Sequence, residues 1–127
     1  MRYRRPAVTD EQKIFDKCDK LYPQLRYGRC CISCLSAWRV REAEHIHHIE
    51  RRACLHLRFE PLNLLPLCSE CHRKIHDGKL TEPISEQHRE WLRNMANKNF
   101  KAICIARGLT KAEYYEQQYR KLKELIL

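Results

Sequence analysis

The stretch CSECHRKIH, residues 68–76, carries two kinds of metal-ligand spacing. Cys68 and Cys71 are separated by two residues, and a tight turn with this spacing directs both thiolates at one ion. His72 and His76 stand four residues apart, so on a helix both imidazoles project from one face, one turn apart. The stretch therefore predicts a metal-holding turn that leads into a helix with two further candidate ligands.

A second turn with the same spacing, CISC at residues 31–34, lies upstream. Two such turns complete a tetrahedral four-sulfur zinc site, which would staple a long loop that has little β pattern of its own. Disulfides are the alternative for eight cysteines, but the first residues do not resemble a secretory signal and no apolar run is long enough to span a membrane, so we do not expect secretion. We therefore expect a cytoplasmic protein with structural Zn²⁺ bound by Cys31, Cys34, Cys68 and Cys71.

The remaining cysteines have no partner at metal-binding spacing. Cys30 stands one residue too early to form a two-residue gap with Cys34, although it could compete as a ligand. We expect Cys18, Cys54 and Cys104 to behave as small buried apolar residues.

Histidines are concentrated in EHIHHIE, residues 44–50, where three of the seven in the chain fall within four positions. A core usually holds one histidine with a hydrogen-bond partner, so this cluster favours binding of a metal, a phosphate or both. In chain order, the histidine pair at 47–48 is followed by Asn63 and then by His72 and His76.

This order, with HHI at 47–49, the asparagine of PLNLLPLC and then CHRKIH, resembles the HNH endonuclease family, in its zinc-stapled branch with flanking CxxC pairs. The resemblance covers residues 28–80. It implies an α+β fold with a treble-clef-like ββα-metal core, two strands and a helix around one metal, stapled by the four-cysteine zinc site; we expect N- and C-terminal helices to cover this core. It also implies a metal-dependent endonuclease that hydrolyses DNA phosphodiester bonds, by nicking or by cutting both strands.

Carried over residue by residue, the resemblance makes His47 the first metal ligand and His48 the general base, with His72 and His76 as the remaining ligands. A neutral histidine can accept a proton from water at cellular pH. Asn63 would bridge the loop of the motif and orient the base, although an asparagine between leucines is also typical of a turn.

The identity of the catalytic ion depends on the position of His47. Many zinc-stapled relatives have aspartate there, and an imidazole shifts the preference toward zinc, nickel, cobalt or manganese over magnesium. Adjacent residues of a strand face opposite ways, so His47 and His48 can serve one site only at a strand end or a bulge. His45 shares a face with His47 and is the alternative ligand. The expected cofactors are structural Zn²⁺ and one catalytic divalent ion, Mn²⁺, Mg²⁺, Ni²⁺ or Zn²⁺.

We predict three parts along the chain: a basic arm and N-terminal helix over 1–27, the nuclease core over 28–80 and a C-terminal helical extension over 81–127. Within the core, a helix is expected to start at Cys71 and to stop at Gly78.

The extension is predicted to hold two helices. The first runs from Ser85 toward Arg107, and a capping box of Thr110 and Glu113 opens the second. The second helix carries an apolar stripe that either docks on the core or mediates a weak homodimer of an otherwise monomeric protein. The stripe consists of Ala112, Tyr115, Tyr119, Leu122 and Ile126.

The charge of the chain indicates a polyanionic partner. Lys and Arg number 25 against 16 Asp and Glu, a net charge of +9, and such an excess favours nucleic acid. Trp38 and Phe59 are expected in the core rather than stacked on bases, and no recognition helix is evident, so sequence specificity is expected to be weak. The candidate phosphate contacts, for each of which a solvated surface is the alternative, are Arg51, Arg52, Arg73 and Lys74.

A fainter similarity is to phage recombination nucleases of the NinG type. It is carried by CISC before the histidines, LRF ahead of the asparagine and AEYYEQQYRKLKEL near the C-terminus. It implies branched or recombining DNA as substrate and a phage or mobile-element origin.

The alternative from a different class is a non-catalytic zinc-knuckle module that binds nucleic acid and whose histidines fill a second structural metal site.

Overall fold

The computed structural model describes residues 8–126. The strands of this part are β1 (His45–His48) and β2 (Leu64–Leu67), and a 3-10 turn at Pro61–Asn63 directly precedes β2. The helices are α1 (Val8–Asp19), α2 (Tyr22–Arg26), α3 (Ile32–Ser36), α4 (Leu55–Arg58), α5 (Ser69–His76), α6 (Glu86–Ala96), α7 (Phe100–Arg107) and α8 (Lys111–Glu124). The basic arm predicted at the N-terminus lies largely outside the described residues.

The two strands pair antiparallel, and α5 packs against β1. Side chains alternate along a strand. His45 and His47 therefore face α5, whereas Ile46 and His48 face α1, α2 and α8. Two strands and one helix form a ββα core, which confirms the predicted α+β fold. The paired residues are His45–Leu67, Ile46–Pro66, His47–Leu65 and His48–Leu64.

Three groups of buried side chains hold the elements together. One joins α1, α2 and α8 around Phe59 and Tyr115. A second surrounds the cysteines and includes Leu67 of β2. A third joins α4, α6, α7 and α8 through Leu57 and Leu92. Helices from both ends of the described chain thus cover the small sheet, as expected.

Helix α5 starts two residues earlier than the predicted Cys71. Its N-cap is Cys68, whose Sγ accepts a hydrogen bond from the backbone N–H of Cys71 at 3.5 Å. The metal-binding turn and the helix start are therefore one structure. Gly78 follows the helix with φ 72°, as expected for the glycine of a helix stop.

The predicted continuous helix from Ser85 to Arg107 is wrong. Helix α6 ends at Ala96, and α7 begins at Phe100. Asn99 caps α7, because its side chain accepts a hydrogen bond from the backbone N–H of Ala102 at 3.2 Å. An asparagine side chain that accepts a backbone hydrogen bond in this way stabilises the start of a helix. The same residue is unfavourable in the interior of a helix, so the chain begins a new helix here.

Helix α8 forms as predicted. The side chain of Thr110 accepts from the backbone N–H of Glu113, and the Glu113 carboxylate accepts from the backbone N–H of Thr110. In the apolar stripe, Tyr115 and Leu122 are buried against α1. The stripe therefore docks within the chain, and a homodimer through this helix stays a prediction.

No sequence pattern indicated α3, α4 or the 3-10 turn at Pro61–Asn63. These segments have only three to five residues each, too few for a helical period to be visible. Tertiary contacts hold them: α3 packs beside the cysteine cluster, and α4 buries Leu57.

The two aromatic residues near the motif differ in their environment. Phe59 is fully buried, as predicted. Trp38 is 97% exposed, so its prediction as a core residue is wrong. It lies in the turn that ends α3, where the backbone directs its side chain away from every packed face.

No helix within residues 8–126 is both long and apolar enough to cross a membrane.

Candidate metal centre and active site

The four predicted zinc ligands come together in one buried cluster. Each CxxC turn opens a helix: Cys31 caps α3 and Cys68 caps α5. The sulfur of Cys34 lies 3.9 Å from that of Cys68 and 3.6 Å from that of Cys71. All four sulfur atoms lie within 4.8 Å of one another, and no member is more than 4% exposed. The cluster is positioned to bind zinc.

Burial opposes ionisation of these thiols in the absence of a cation. It raises the pKa of Cys34 to about 12 and also raises the pKa of Cys71. Burial acts in the same direction on Cys31, but hydrogen bonds to its sulfur outweigh it and lower the pKa to about 7. Several thiolates in so small a volume need a bound cation, and Zn²⁺ is the ion that four sulfurs prefer in proteins.

The other cysteines lie apart from this cluster. Cys30 is half-buried, and its backbone bridges to Glu42. Cys18 and Cys104 are buried as predicted, whereas Cys54 is only half-buried. None of these four belongs to a group with metal-binding geometry among the described residues.

A second cluster brings together three histidines from β1 and α5. Nε2 of His72 lies 3.0 Å from Nε2 of His76. The ring of His47 lies 5.3 Å from the ring of His72 and 5.5 Å from that of His76, centroid to centroid. Each residue offers one nitrogen within 4.8 Å of the other two. His47 is buried and His76 is exposed, so the cluster opens to solvent on one side.

His45, the alternative ligand, lies next to this cluster but outside it. Its ring is 5.0 Å from that of His72, and its Nε2 lies 3.1 Å from the hydroxyl of Ser69. The side chain is exposed. The geometry therefore favours His47 over His45 as the third member of the cluster.

The imidazole of His72 is neutral at cellular pH. Burial lowers the pKa of His72 to about 4, and the neighbouring His76, His47 and His45 act in the same direction. Neutral imidazole is the form that binds metal.

Glu82 is a member of the site that the sequence did not reveal. Its Oε2 lies 3.0 Å from Nε2 of His47, and its Oε1 accepts a hydrogen bond from Arg89 at 3.0 Å. Burial raises the pKa of Glu82, but the bonds from His47 and Arg89 outweigh it and lower the pKa overall. The carboxylate is therefore ionised beside the histidine cluster. It stands in no motif spacing with the histidines, so only the fold brings it there.

His48, the predicted base, lies at the end of β1 and faces away from α5. Its Nε2 lies 3.0 Å from the hydroxyl of Tyr22 and 3.0 Å from the carbonyl oxygen of Arg58. The Tyr22 hydroxyl donates to the same carbonyl at 2.8 Å. A carbonyl oxygen only accepts, so Nε2 carries the hydrogen.

This tautomer leaves Nδ1 as the basic nitrogen of His48. Burial lowers the pKa of the side chain to about 4, so the ring is neutral at cellular pH. His48 nevertheless reaches the same cavity as the histidine cluster. This cavity has a volume of about 570 Å³, and its polar lining consists of His47, His48, Arg51, Arg52, His72, His76 and Glu82.

Asn63 closes the loop between the two strands. Its side-chain oxygen accepts from the backbone N–H of Glu50 at 2.6 Å, and its amide donates to the carbonyls of Glu50 at 3.3 Å and Leu57 at 2.9 Å. The side chain is fully buried. Leu57 directly precedes Arg58, whose carbonyl fixes His48, so Asn63 holds the turn that orients this histidine.

A comparison with family models matches residues 31–78 to the model described as HNH endonuclease. This span contains both CxxC turns, both strands and all three clustered histidines. Over this span the chain is similar to the HNH endonuclease family, as the sequence predicted. No curated protein and no solved structure matches the chain significantly.

The cavity shared by the three clustered histidines and His48 is called the HNH cavity below, and only two of the four predicted phosphate contacts line it. Arg51 and Arg52 line it, and Arg52 Nη2 also lies 3.6 Å from a carboxylate oxygen of Asp19. On α5, Lys74 pairs with Glu70 at 2.9 Å instead. Arg73 is exposed and is not part of the cavity lining.

Tyr22 and Arg58 contact His48, and sequence reasoning missed both of them. Tyr22 comes from α2, outside the span that matches the family model. Arg58 acts through its backbone carbonyl, which carries no side-chain signal. Its guanidinium donates to Asp19 at 2.8 Å and so ties the loop to α1.

Proposed function

We propose that this protein is a metal-dependent endonuclease that hydrolyses phosphodiester bonds in DNA. The observation that carries the proposal is the HNH cavity, where three clustered histidines, His48 and two arginines line one open space. Phosphodiester hydrolysis needs an activated water, positive charge at the phosphoryl oxygens and stabilisation of the leaving oxygen.

The donor set fits a divalent ion. Three imidazoles offer nitrogens within 4.8 Å of one another, and three protein ligands leave coordination positions for water and substrate. Such nitrogen donors favour zinc, nickel, cobalt or manganese over magnesium. An ion held by His47, His72 and His76 would supply positive charge to the scissile phosphate and to the leaving oxygen.

His48 is the proposed general base. Nε2–H is held by the Arg58 carbonyl, so Nδ1 presents a lone pair that can accept a proton from water. The neutral form persists at cellular pH because burial lowers the pKa to about 4. Asn63 is a positioning residue, since it holds the turn that carries this carbonyl.

Arg51 and Arg52 are the proposed phosphate contacts at the cavity. Both side chains are exposed and lie in the loop between β1 and α4, outside any helix. The net charge of +9 supports DNA as the partner through contacts to its backbone. Weak sequence preference follows from this mode of binding.

The test is nicking of supercoiled plasmid by protein that retains its cysteine-bound zinc. Mn²⁺, Mg²⁺, Ni²⁺ and Zn²⁺ are added in turn to the wild type and to His47→Ala, His48→Ala and His45→Ala. We expect nicking by the wild type and by His45→Ala, and loss of about 100-fold or more in His48→Ala, as for removal of a general base.

Each other outcome has a defined meaning. Nicking that needs His45 but not His47 would reverse the ligand assignment. Equal activity in His48→Ala would remove His48 as the base. DNA binding without nicking by any protein or metal would instead assign the histidines to a second structural metal site in a zinc-knuckle binding module. Branched DNA as substrate, a phage origin, a cytoplasmic location and the oligomeric state stay predictions.

A further inference from the structure

Three helices of this protein end in turns of the same type, and in one of these turns the position usually held by glycine is occupied by another residue. In the turn, one residue lies in the left-handed region of backbone space, where glycine is strongly preferred. Gly78 occupies this position after α5 with φ 72°, and Gly108 occupies it after α7 with φ 67°. After α3 the residue is Trp38, with φ 60°.

The turn at Trp38 is built on the cysteine cluster. The backbone N–H of Trp38 donates to the carbonyl of Leu35 at 3.0 Å, and that of Arg39 donates to the carbonyl of Cys34 at 2.8 Å. The turn after α5 contains the same two backbone hydrogen bonds. The local backbone therefore favours glycine at position 38, and the tryptophan side chain is present against this preference.

The indole contributes nothing to the packing of the fold. Trp38 is 97% exposed, whereas the other tryptophan, Trp91, is 39% exposed. A strained backbone position that displays the largest apolar side chain to solvent points to a binding role rather than to stability.

The charge around the turn indicates what binds. Residues 20–41 contain five Lys and Arg and no Asp or Glu. Within residues 8–126, Arg39 has no ion-pair partner. Arg41 pairs with Glu70 at 2.6 Å, which links the turn to α5, the helix of His72 and His76. An exposed aromatic face that is followed in the chain by an arginine without an ion pair among the described residues suits a polyanion that also offers a flat apolar ring.

We propose that Trp38 is a stacking site for an unpaired base of DNA, held by the cysteine-rich turn at a fixed position relative to α5. This proposal rests on the proposed function, because it assumes that DNA is the substrate. An internal base of duplex DNA has both faces covered by its neighbours, so away from the duplex ends only an unpaired base can stack on the indole. Charge favours DNA over a protein partner, which would have to cover the basic residues as well as the ring.

The test compares three proteins: the wild type, Trp38→Gly and Trp38→Phe. Glycine suits the backbone of the turn and removes the ring, and phenylalanine keeps an aromatic face. The probes are a labelled single-stranded oligonucleotide and a duplex of the same sequence whose ends are capped by a covalently attached planar group, with binding read by fluorescence anisotropy without added divalent metal. We expect Trp38→Gly to weaken single-strand binding about 5- to 150-fold, the range for loss of one stacked base. Duplex binding should stay unchanged, and Trp38→Phe should bind both probes like the wild type.

A spectroscopic readout separates stacking from a structural effect. In a Trp91→Phe background the only tryptophan is Trp38. Its emission should be quenched by the oligonucleotide and not by an abasic strand with the same phosphates.

Equal single-strand binding by Trp38→Gly and the wild type would overturn the proposal and assign the turn to a protein partner. Equal losses on both probes would also overturn it. The plasmid assay keeps the two proposals apart. Nicking by the wild type together with unaltered binding by Trp38→Gly rejects only the stacking site, whereas a wild type that neither binds nor nicks DNA rejects both.

Discussion

Replacing Trp38 by glycine is expected to stabilise the protein. A non-glycine residue in the left-handed region costs about 1–2 kcal/mol, and Trp38 has φ 60°. Glycine gives back about 0.4–1 kcal/mol of this gain because it is more flexible in the unfolded chain. The side chain is 97% exposed, so almost no buried area is lost. The free energy of unfolding should therefore rise by ~0.8 kcal/mol.

Gly78→Ala is the matched change in the opposite direction. A Cβ at position 78 would meet no atom within 4 Å, so the backbone alone sets the cost. We expect a loss of ~0.8 kcal/mol, which makes the two variants differ by ~1.6 kcal/mol. Gly108→Ala has the same open surroundings and serves as the replicate.

Guanidinium unfolding followed by circular dichroism measures these differences. Free zinc must be equal in all samples, because binding to the folded state adds to the apparent stability. A Trp38→Gly protein less stable than the wild type would refute the reasoning. It would mean that the indole packs on the fold in solution, and the ring would then not be free to bind a base.

Four further changes test the site and the fold. Asn63→Ala should lower the free energy of unfolding by about 2–4 kcal/mol in denaturant titrations, because it leaves buried backbone groups without partners; a change below ~1 kcal/mol would count against its bridging role. Cys34→Ser should lose zinc and the hydrogen-exchange protection of the two strands, whereas retention of both would reject the four-sulfur site. Glu82→Gln should weaken Co²⁺ binding at the histidine cluster about tenfold in an absorption titration, as for a group that supports a ligand; tighter binding would mean that the carboxylate competes with the metal. Hydrogen bonds from Thr110 hold the pKa of Glu113 below its ordinary value of 4.5, so this residue stabilises the fold above pH 4.5 and loses the effect as the pH falls. The stability gap between the wild type and Glu113→Gln should accordingly close between pH 7 and pH 3, and a gap independent of pH would contradict it.

The parts of the site that the sequence predicted are encoded by short spacings. Two residues between cysteines define a metal-binding turn, and four residues between His72 and His76 define one helix face. These relations hold whatever the rest of the chain does. The histidine pair and Asn63 lie between the cysteine turns, and this order was specific enough to indicate the family whose model residues 31–78 match.

The parts that escaped depend on contacts between distant residues. Glu82 reaches His47 across 35 positions, and Tyr22 reaches His48 across 26. Neither pair has a spacing that a sequence pattern could show. The break between α6 and α7 has a local cause, because the cap formed by Asn99 interrupts an apolar periodicity that continues on both sides of it.

The environment of Trp38 could not have been inferred from composition. Large aromatic residues are usually buried in part, and the residues around it include several apolar side chains. Only the backbone bonds of the turn, with φ 60°, place the ring outside.

The start of α5 is expected to couple the two candidate metal sites. Cys71 and His72 are consecutive residues, and the turn that begins the helix also holds a sulfur ligand. Whichever ion binds first restricts the motion of this segment and lowers the entropic cost for the second. The affinities should therefore be reciprocally linked, each ion raising the affinity for the other by the same factor. Removal of zinc from the four cysteines should then also weaken the binding of a divalent ion by His47, His72 and His76.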